Sequence, residues 1–200
     1  MSVISIETMT TDIDQATVEQ CVGSAHGDLN RVRELVERHP ALVNARAPWN
    51  ETPIEAAAQL GRKDIIEYLL SKGAPLDFFT ACVLGRRDVV EAELAGDPTR
   101  AQARGVHDLP AMYFAAIGGQ PEIAELLLAR GAEVNDATQA AAPIHGAVMG
   151  RSTGMITWLL EHGADPSTQD HEGRTAPELA QALNRPDLAS LFPSSRRTAG

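Results

Sequence analysis

Thr52-Pro53-Ile54-Glu55-Ala56-Ala57-Ala58, then Gly61, then Asp64-Ile65-Ile66-Glu67-Tyr68-Leu69-Leu70, then Gly73-Ala74, spells out one complete structural unit. Threonine can cap a helix and proline suits its first turn, so a short helix opens at Thr52-Pro53. Gly61 ends it, because glycine enters the left-handed region without a Cβ penalty. The next segment is apolar at i, i+1, i+4 and i+5, which predicts a second helix with one buried stripe. Gly73-Ala74 closes that helix, and the alanines of the first helix permit close helix–helix approach.

The closing signature recurs. Leu69-Leu70-Ser71-Lys72-Gly73-Ala74 is echoed by Leu127-Leu128-Ala129-Arg130-Gly131-Ala132 and by Leu159-Leu160-Glu161-His162-Gly163-Ala164. Gly131 to Gly163 is 32 residues, a spacing that signals a repeat architecture. Gly73 to Gly131 is 58, too long for one unit and too short for two.

The opening segment resembles the ankyrin repeat, whose signature reads Thr-Pro-Leu-His-x-Ala, with Glu55 standing at the histidine. Pro143-Ile144-His145-Gly146-Ala147 keeps the histidine. Leu109-Pro110-Ala111-Met112-Tyr113-Phe114-Ala115-Ala116 carries one inserted residue, and Gly173-Arg174-Thr175-Ala176-Pro177-Glu178-Leu179-Ala180 is degenerate. The resemblance implies an all-α solenoid of about six helix-turn-helix units with short β-turn fingers and degenerate caps at both ends. The first cap has a helix near Gln15 to Ser24, followed by Gly27-Asp28-Leu29-Asn30-Arg31-Val32. The last runs from Thr175 to Phe192.

The odd step of 58 falls in the third unit. Gly73-Ala74-Pro75-Leu76-Asp77 runs straight into Phe78-Phe79-Thr80-Ala81-Cys82, and Gly61 to Gly85 is only 24 residues. About nine or ten residues are missing against the family period, and they are the finger. Asp77 takes over as the helix cap. The expected domain plan is an extension over 1–13, one repeat domain over 14–192 and a tail over 193–200.

Composition agrees with closely packed helices: 44% of residues are hydrophobic and only 4% aromatic. A net charge of −10 argues against nucleic acid, whose phosphates require clustered Lys and Arg, and accommodates a basic or neutral partner. No apolar run is long enough to cross a membrane, and no signal peptide is legible, so the expectation is a cytoplasmic protein without a membrane partner. Cys21 and Cys82 read as buried and reduced.

Chemistry finds little support. The six histidines, His26, His39, His107, His145, His162 and His171, show no metal-ligand spacing. There is no Gly-x-Ser-x-Gly elbow and no phosphate-binding glycine loop. Neither catalysis, a cofactor nor a metal is expected. By the resemblance, His145 hydrogen-bonds neighbouring loop backbone, while His162 is placed to bond the last carbonyls of its helix.

The function implied by the family is non-enzymatic protein–protein recognition, by a monomer, through the concave face made of fingers and first helices. An accessory or regulatory subunit of an enzyme would use the same surface; an enzyme with a pocket on that face is the remaining alternative. Candidate partner-binding residues are Arg46, Trp49 and Glu51 on the first finger, Gln59 and Met149 at helix ends, Arg104, His107 and Asp108 on the next finger, Gln139 beyond it, and His171, Glu172 and Arg174 on the last. Trp49 stands out, because a tryptophan on a projecting tip either folds back or anchors a partner. On sequence alone, its removal is expected to weaken binding and leave stability nearly unchanged.

Overall fold

A computed structural model describes residues 13–193. The extension and tail expected at 1–13 and 193–200 lie outside the described residues, except for Ile13 and Pro193 at their margins.

Each unit is built by the local signals read above. The pairs are α1 (Gln15–Ser24) with α2 (Leu29–Arg38), α3 (Pro53–Gln59) with α4 (Lys63–Ser71), and α5 (Phe78–Leu84) with α6 (Arg87–Gly96). They continue with α7 (Ala111–Gly118) and α8 (Pro121–Leu128), α9 (Pro143–Met149) and α10 (Thr153–Glu161), and α11 (Ala176–Ala182) and α12 (Pro186–Ala189). Among the described residues the six pairs agree with the expectation of about six units, and α1 has the bounds the sequence suggested. Among the described residues there is no sheet, only an isolated bridge between Arg104 and Pro110.

The first helices α1, α3, α5, α7, α9 and α11 pack one on the next, and the second helices form an outer row. Small residues make the inner row possible. Ala56, Ala57 and Ala58 in α3 are buried, and so is every residue of α7. A Cβ built on Gly118 would lie 2.3 Å from the Val83 carbonyl oxygen, and one on Gly150 would lie 2.2 Å from that of Ile117. Backbone therefore meets backbone at these crossings. The outer helices bury one stripe each, such as Ile65, Ile66 and Leu69 in α4 and Ile123, Ala124 and Leu127 in α8.

Three fingers close in the same way, with an amide bonding the carbonyl four residues on. Ala47 N–H donates to Glu51 O at 2.9 Å, Gly105 N–H to Leu109 O at 2.9 Å, and Asp170 N–H to Arg174 O at 2.9 Å. Asn50 provides the left-handed residue of the first, at φ 66°. His107 and Asp108 share that role in the second, at φ 54° and 59°. Between α4 and α5 there is no finger. Residues 72–77 cross directly, and Asp77 caps α5 by accepting from Thr80 N–H at 2.8 Å.

In α3, α9 and α11 the third residue reaches back to its own cap. In α9 this is His145, whose Nδ1 accepts from Ala142 N–H at 3.1 Å while Nε2 donates to Arg174 O in the following finger at 3.1 Å. In α3 it is Glu55, accepting from Thr52 N–H at 2.7 Å, and in α11 it is Glu178, accepting from Thr175 N–H at 2.8 Å. Neither glutamate has a following finger among the described residues. Each carboxylate closes a capping box at its own helix start, and Glu55 also pairs with Arg46 of the preceding finger; the His145 imidazole bonds its cap and the next finger at once.

Candidate functional site

The missing finger leaves a cavity of about 430 Å³ between the tip that carries Trp49 and the finger that carries His107. Its aromatic residues are Trp49, Phe78, Phe79 and Phe114, with the Phe79 and Phe114 ring centroids 5.0 Å apart. Gly105 lies over that pair: a Cβ there would approach Phe114 to 2.9 Å, so this finger can rest on the rings only as glycine.

Trp49 folds back on its own loop and still leaves part of its ring exposed. Its indole Nε1–H donates to Glu51 Oε2 at 2.8 Å, yet the residue remains 46% exposed. Glu51 is 1% exposed and also accepts from Gln59 Nε2–H at 2.7 Å. Gln59 in turn reaches His26 Nε2 at 2.7 Å. The imidazoles of His26 and His107 stand 3.7 and 3.6 Å from the Glu51 carboxylate. A ring with one polar atom tied and one face open is a rigid wall, with little side-chain entropy left to lose on contact.

The arginines around the cavity are each engaged. Arg46 donates to Asn50 O at 2.6 Å and pairs with Glu55 at 3.2 Å. Arg104 pairs with Asp136 of the next finger and donates to Asp108 O at 3.0 Å. Arg100 pairs with Glu93 at 3.0 Å and lies over the Phe78 ring at 5.0 Å. Asp77 lines the same cavity. Burial pushes its carboxyl above the usual carboxylate range, and the nearby Glu55 charge adds to this against the hydrogen bonds from Thr80.

Beyond His107 lies a groove of about 500 Å³, bounded by Gln59, Met149, His171, Glu172 and Arg174. Its surface is more apolar, with Leu60, Leu179 and the 38%-exposed Leu183 contributing. Tyr113 donates its hydroxyl to Gln59 O at 3.2 Å, and burial raises its pKa. Arg174 is held by Asp170 through Nε at 3.0 Å and Nη2 at 2.9 Å. Burial alone would raise the Asp170 carboxyl, but the bonds from Arg174 and from Glu172 N–H hold it below its ordinary value.

Of the residues expected to meet a partner, Arg46, Trp49, Glu51, Arg104 and His107 thus gather at the gap, and Gln59, His107, Met149, His171, Glu172 and Arg174 at the groove. Asp108 is exposed beside Arg104, and Gln139 is exposed away from both cavities. Sequence reasoning passed over Phe79 and Phe114 and read Asp77 only as a cap. The aromatic pair comes from helices 35 positions apart in sequence, and no local pattern announces it.

A profile described as ankyrin repeats in three copies matches residues 78–170 and 111–192, and a single ankyrin repeat matches 49–81. The chain belongs to the ankyrin repeat family. Ankyrin repeats generally serve as non-enzymatic protein-interaction modules. Relatives include BCL-6 corepressor-like protein 1 of Homo sapiens, 31% identical over 73% of this chain and 7% of that protein. A putative ankyrin repeat protein of Rickettsia felis is 24% identical over 83% of this chain and 71% of its own length. The putative palmitoyltransferase ZDHHC13 of Danio rerio is 30% identical over 83% of this chain and 33% of its own length. The chain therefore spans only a small part of several of these relatives. No helix among the described residues is long and apolar enough to cross a membrane.

Proposed function

We propose that this ankyrin array is a non-enzymatic recognition module that binds a protein partner along its concave face, from the gap beside Trp49 into the groove ending at Leu183. The observation that supports this best is the continuity of the two cavities through His107, which lines both. A bound segment crossing the His107 ridge would meet a fixed aromatic wall on one side and an apolar trough on the other. The ionisable groups around it are tied into caps and finger-to-finger bonds, an arrangement suited to a preformed surface.

The test is site-specific photo-crosslinking during affinity purification. Crosslinkers at Leu60 and Leu183 on the concave side should capture the same partner, while one at Glu161 on the outer row should not. Capture from Glu161 alone would overturn the reading. Leu60→Glu and Leu183→Glu, at partly exposed groove positions, are expected to weaken the interaction without unfolding the array.

A further inference from the structure

The cavity at the gap has a chemistry narrower than that of the rest of the concave face. Three arginines, three carboxylates and one histidine line it, so its formal charges nearly balance. Their pairing is uneven. Arg46 spends its charge on Glu55, Arg104 on Asp136, and Arg100 on Glu93. Glu51 is served by the indole and by Gln59. Among the described residues, Asp77 has side-chain hydrogen bonds only from its own helix start, Thr80 N–H at 2.8 Å and Thr80 Oγ1–H at 3.0 Å. Among the described residues, no Lys, Arg or His nitrogen pairs with it within 4.0 Å.

We propose that the cavity vacated by the missing finger seats a lysine or arginine side chain of the bound partner, its cation balanced by Asp77 and its stem or guanidinium plane against the rings of Trp49 and Phe79. This rests on the concave face being the recognition surface and names the chemistry of its anchor. A carboxylate and exposed aromatic faces in one concavity are the two features that hold a cation together, since a ring face attracts positive charge and a desolvated carboxylate lacks a counter-ion. The raised Asp77 carboxyl is consistent with an anion waiting for one. The overall charge of −10 favours approach of a basic segment. A feature pointing the other way is the Arg100 Nε, which is buried without a hydrogen-bond partner. That guanidinium is already paired and stacked, which leaves a single N–H rather than a fork for an anion.

The experiment is a ¹⁵N NMR titration of the full chain with Nα-acetyl-arginine amide, Nα-acetyl-citrulline amide and Nα-acetyl-glutamate amide. Citrulline keeps the shape of arginine and removes its charge. The arginine probe should shift the Trp49 indole N–H together with the Thr80 and Gly105 amides, with an affinity about tenfold or more above citrulline. Asp77→Asn should abolish that difference. Asparagine caps a helix as well as aspartate does, so the rest of the spectrum should stay in place. Equal response to arginine and citrulline, no response at these three groups, an unchanged preference in Asp77→Asn, or tighter binding of the glutamate probe would each overturn the assignment. If crosslinking still maps the partner to the concave face, such a result removes the basic anchor and leaves the recognition surface standing. If crosslinking instead maps it to the outer row, the recognition surface itself falls.

Discussion

Gly118→Ala and Gly154→Ala are the same chemical change with opposite expected outcomes. At Gly154, on the exposed first turn of α10, an added Cβ meets nothing within 4 Å. Alanine there restricts the unfolded chain and suits a helix, so it should stabilise by about 0.4–1 kcal/mol. At Gly118 the same methyl would sit 2.3 Å from Val83 O, 2.7 Å from its Cα and 2.8 Å from its carbonyl carbon. Contact distances below 3.0 Å are not tolerated, and backbone cannot rotate out of the way as a side-chain tip can. Helices α5 and α7 would have to separate by several tenths of an ångström along a fully buried seam. Overpacking of this kind costs about 3 kcal/mol at the upper end of its usual range, against a helix-propensity gain of about 1 kcal/mol. A net loss of about 2 kcal/mol corresponds to a Tm lowered by about 4–8 °C in a domain of this size. Differential scanning calorimetry of both variants reads this directly. A Gly118→Ala melting temperature within about a degree of the parent would refute the claim that inner-row spacing is set by backbone contact.

Leu127→Ala should cost about 2–5 kcal/mol in a urea titration, since the side chain is fully buried in α8; a midpoint shift near zero would contradict that burial. His145 is neutral in the folded protein because burial depresses its pKa below 6.5, against the backbone hydrogen bonds that favour the charged form. The stability it contributes is therefore complete above pH about 6.5 and lost as pH falls from there toward its lowered folded value. His145→Asn should flatten that part of the pH–stability profile, and an identical slope in both proteins would count against it. Burial raises the Cys21 thiol to about 11 and pushes Cys82 higher still, so both should resist a thiol reagent at neutral pH until the chain unfolds; stoichiometric labelling of the native protein would sink this. Trp49→Ala should lower partner affinity by about 2 kcal/mol. It should also cost about 1–3 kcal/mol of stability, because the buried Glu51 loses a donor. A calorimetric titration and a melt, run on the same variant, separate the two effects.

That last point departs from the expectation of unchanged stability, and the reason is instructive. Thr52-Pro53, Gly61, the Asp77 cap and even the missing finger are all local signals, carried by residues within a turn of the feature they create. They were legible for that reason. The fate of Trp49 depends on Glu51 being buried, which depends on Gln59 and His26, with His26 33 positions away from Gln59. Nothing in the Trp49 neighbourhood encodes that chain of bonds. His107 and Asp108 pose the same difficulty: both adopt left-handed backbone without glycine or asparagine to advertise it. The gap itself could be counted from the sequence. What lines it could not, since the Phe79–Phe114 contact joins first helices of adjacent units through residues 35 positions apart.

The direct crossing at 72–77 also bears on how the array comes apart. In stacked repeats, order passes from each unit to the next through their shared interface, and the weakest interface sets where cooperativity breaks. Later units are laced together by their fingers as well as by helices: Arg104 to Asp136, Asn135 to Gly163 O at 2.8 Å, and His171 N–H to Ala140 O at 3.1 Å. The second and third units have helix packing, α3 against α5, but no adjoining pair of fingers. Native-state hydrogen exchange should accordingly resolve two blocks with different opening free energies, Gln15–Ser71 and Phe78–Phe192, with the seam between them beside the indole of Trp49.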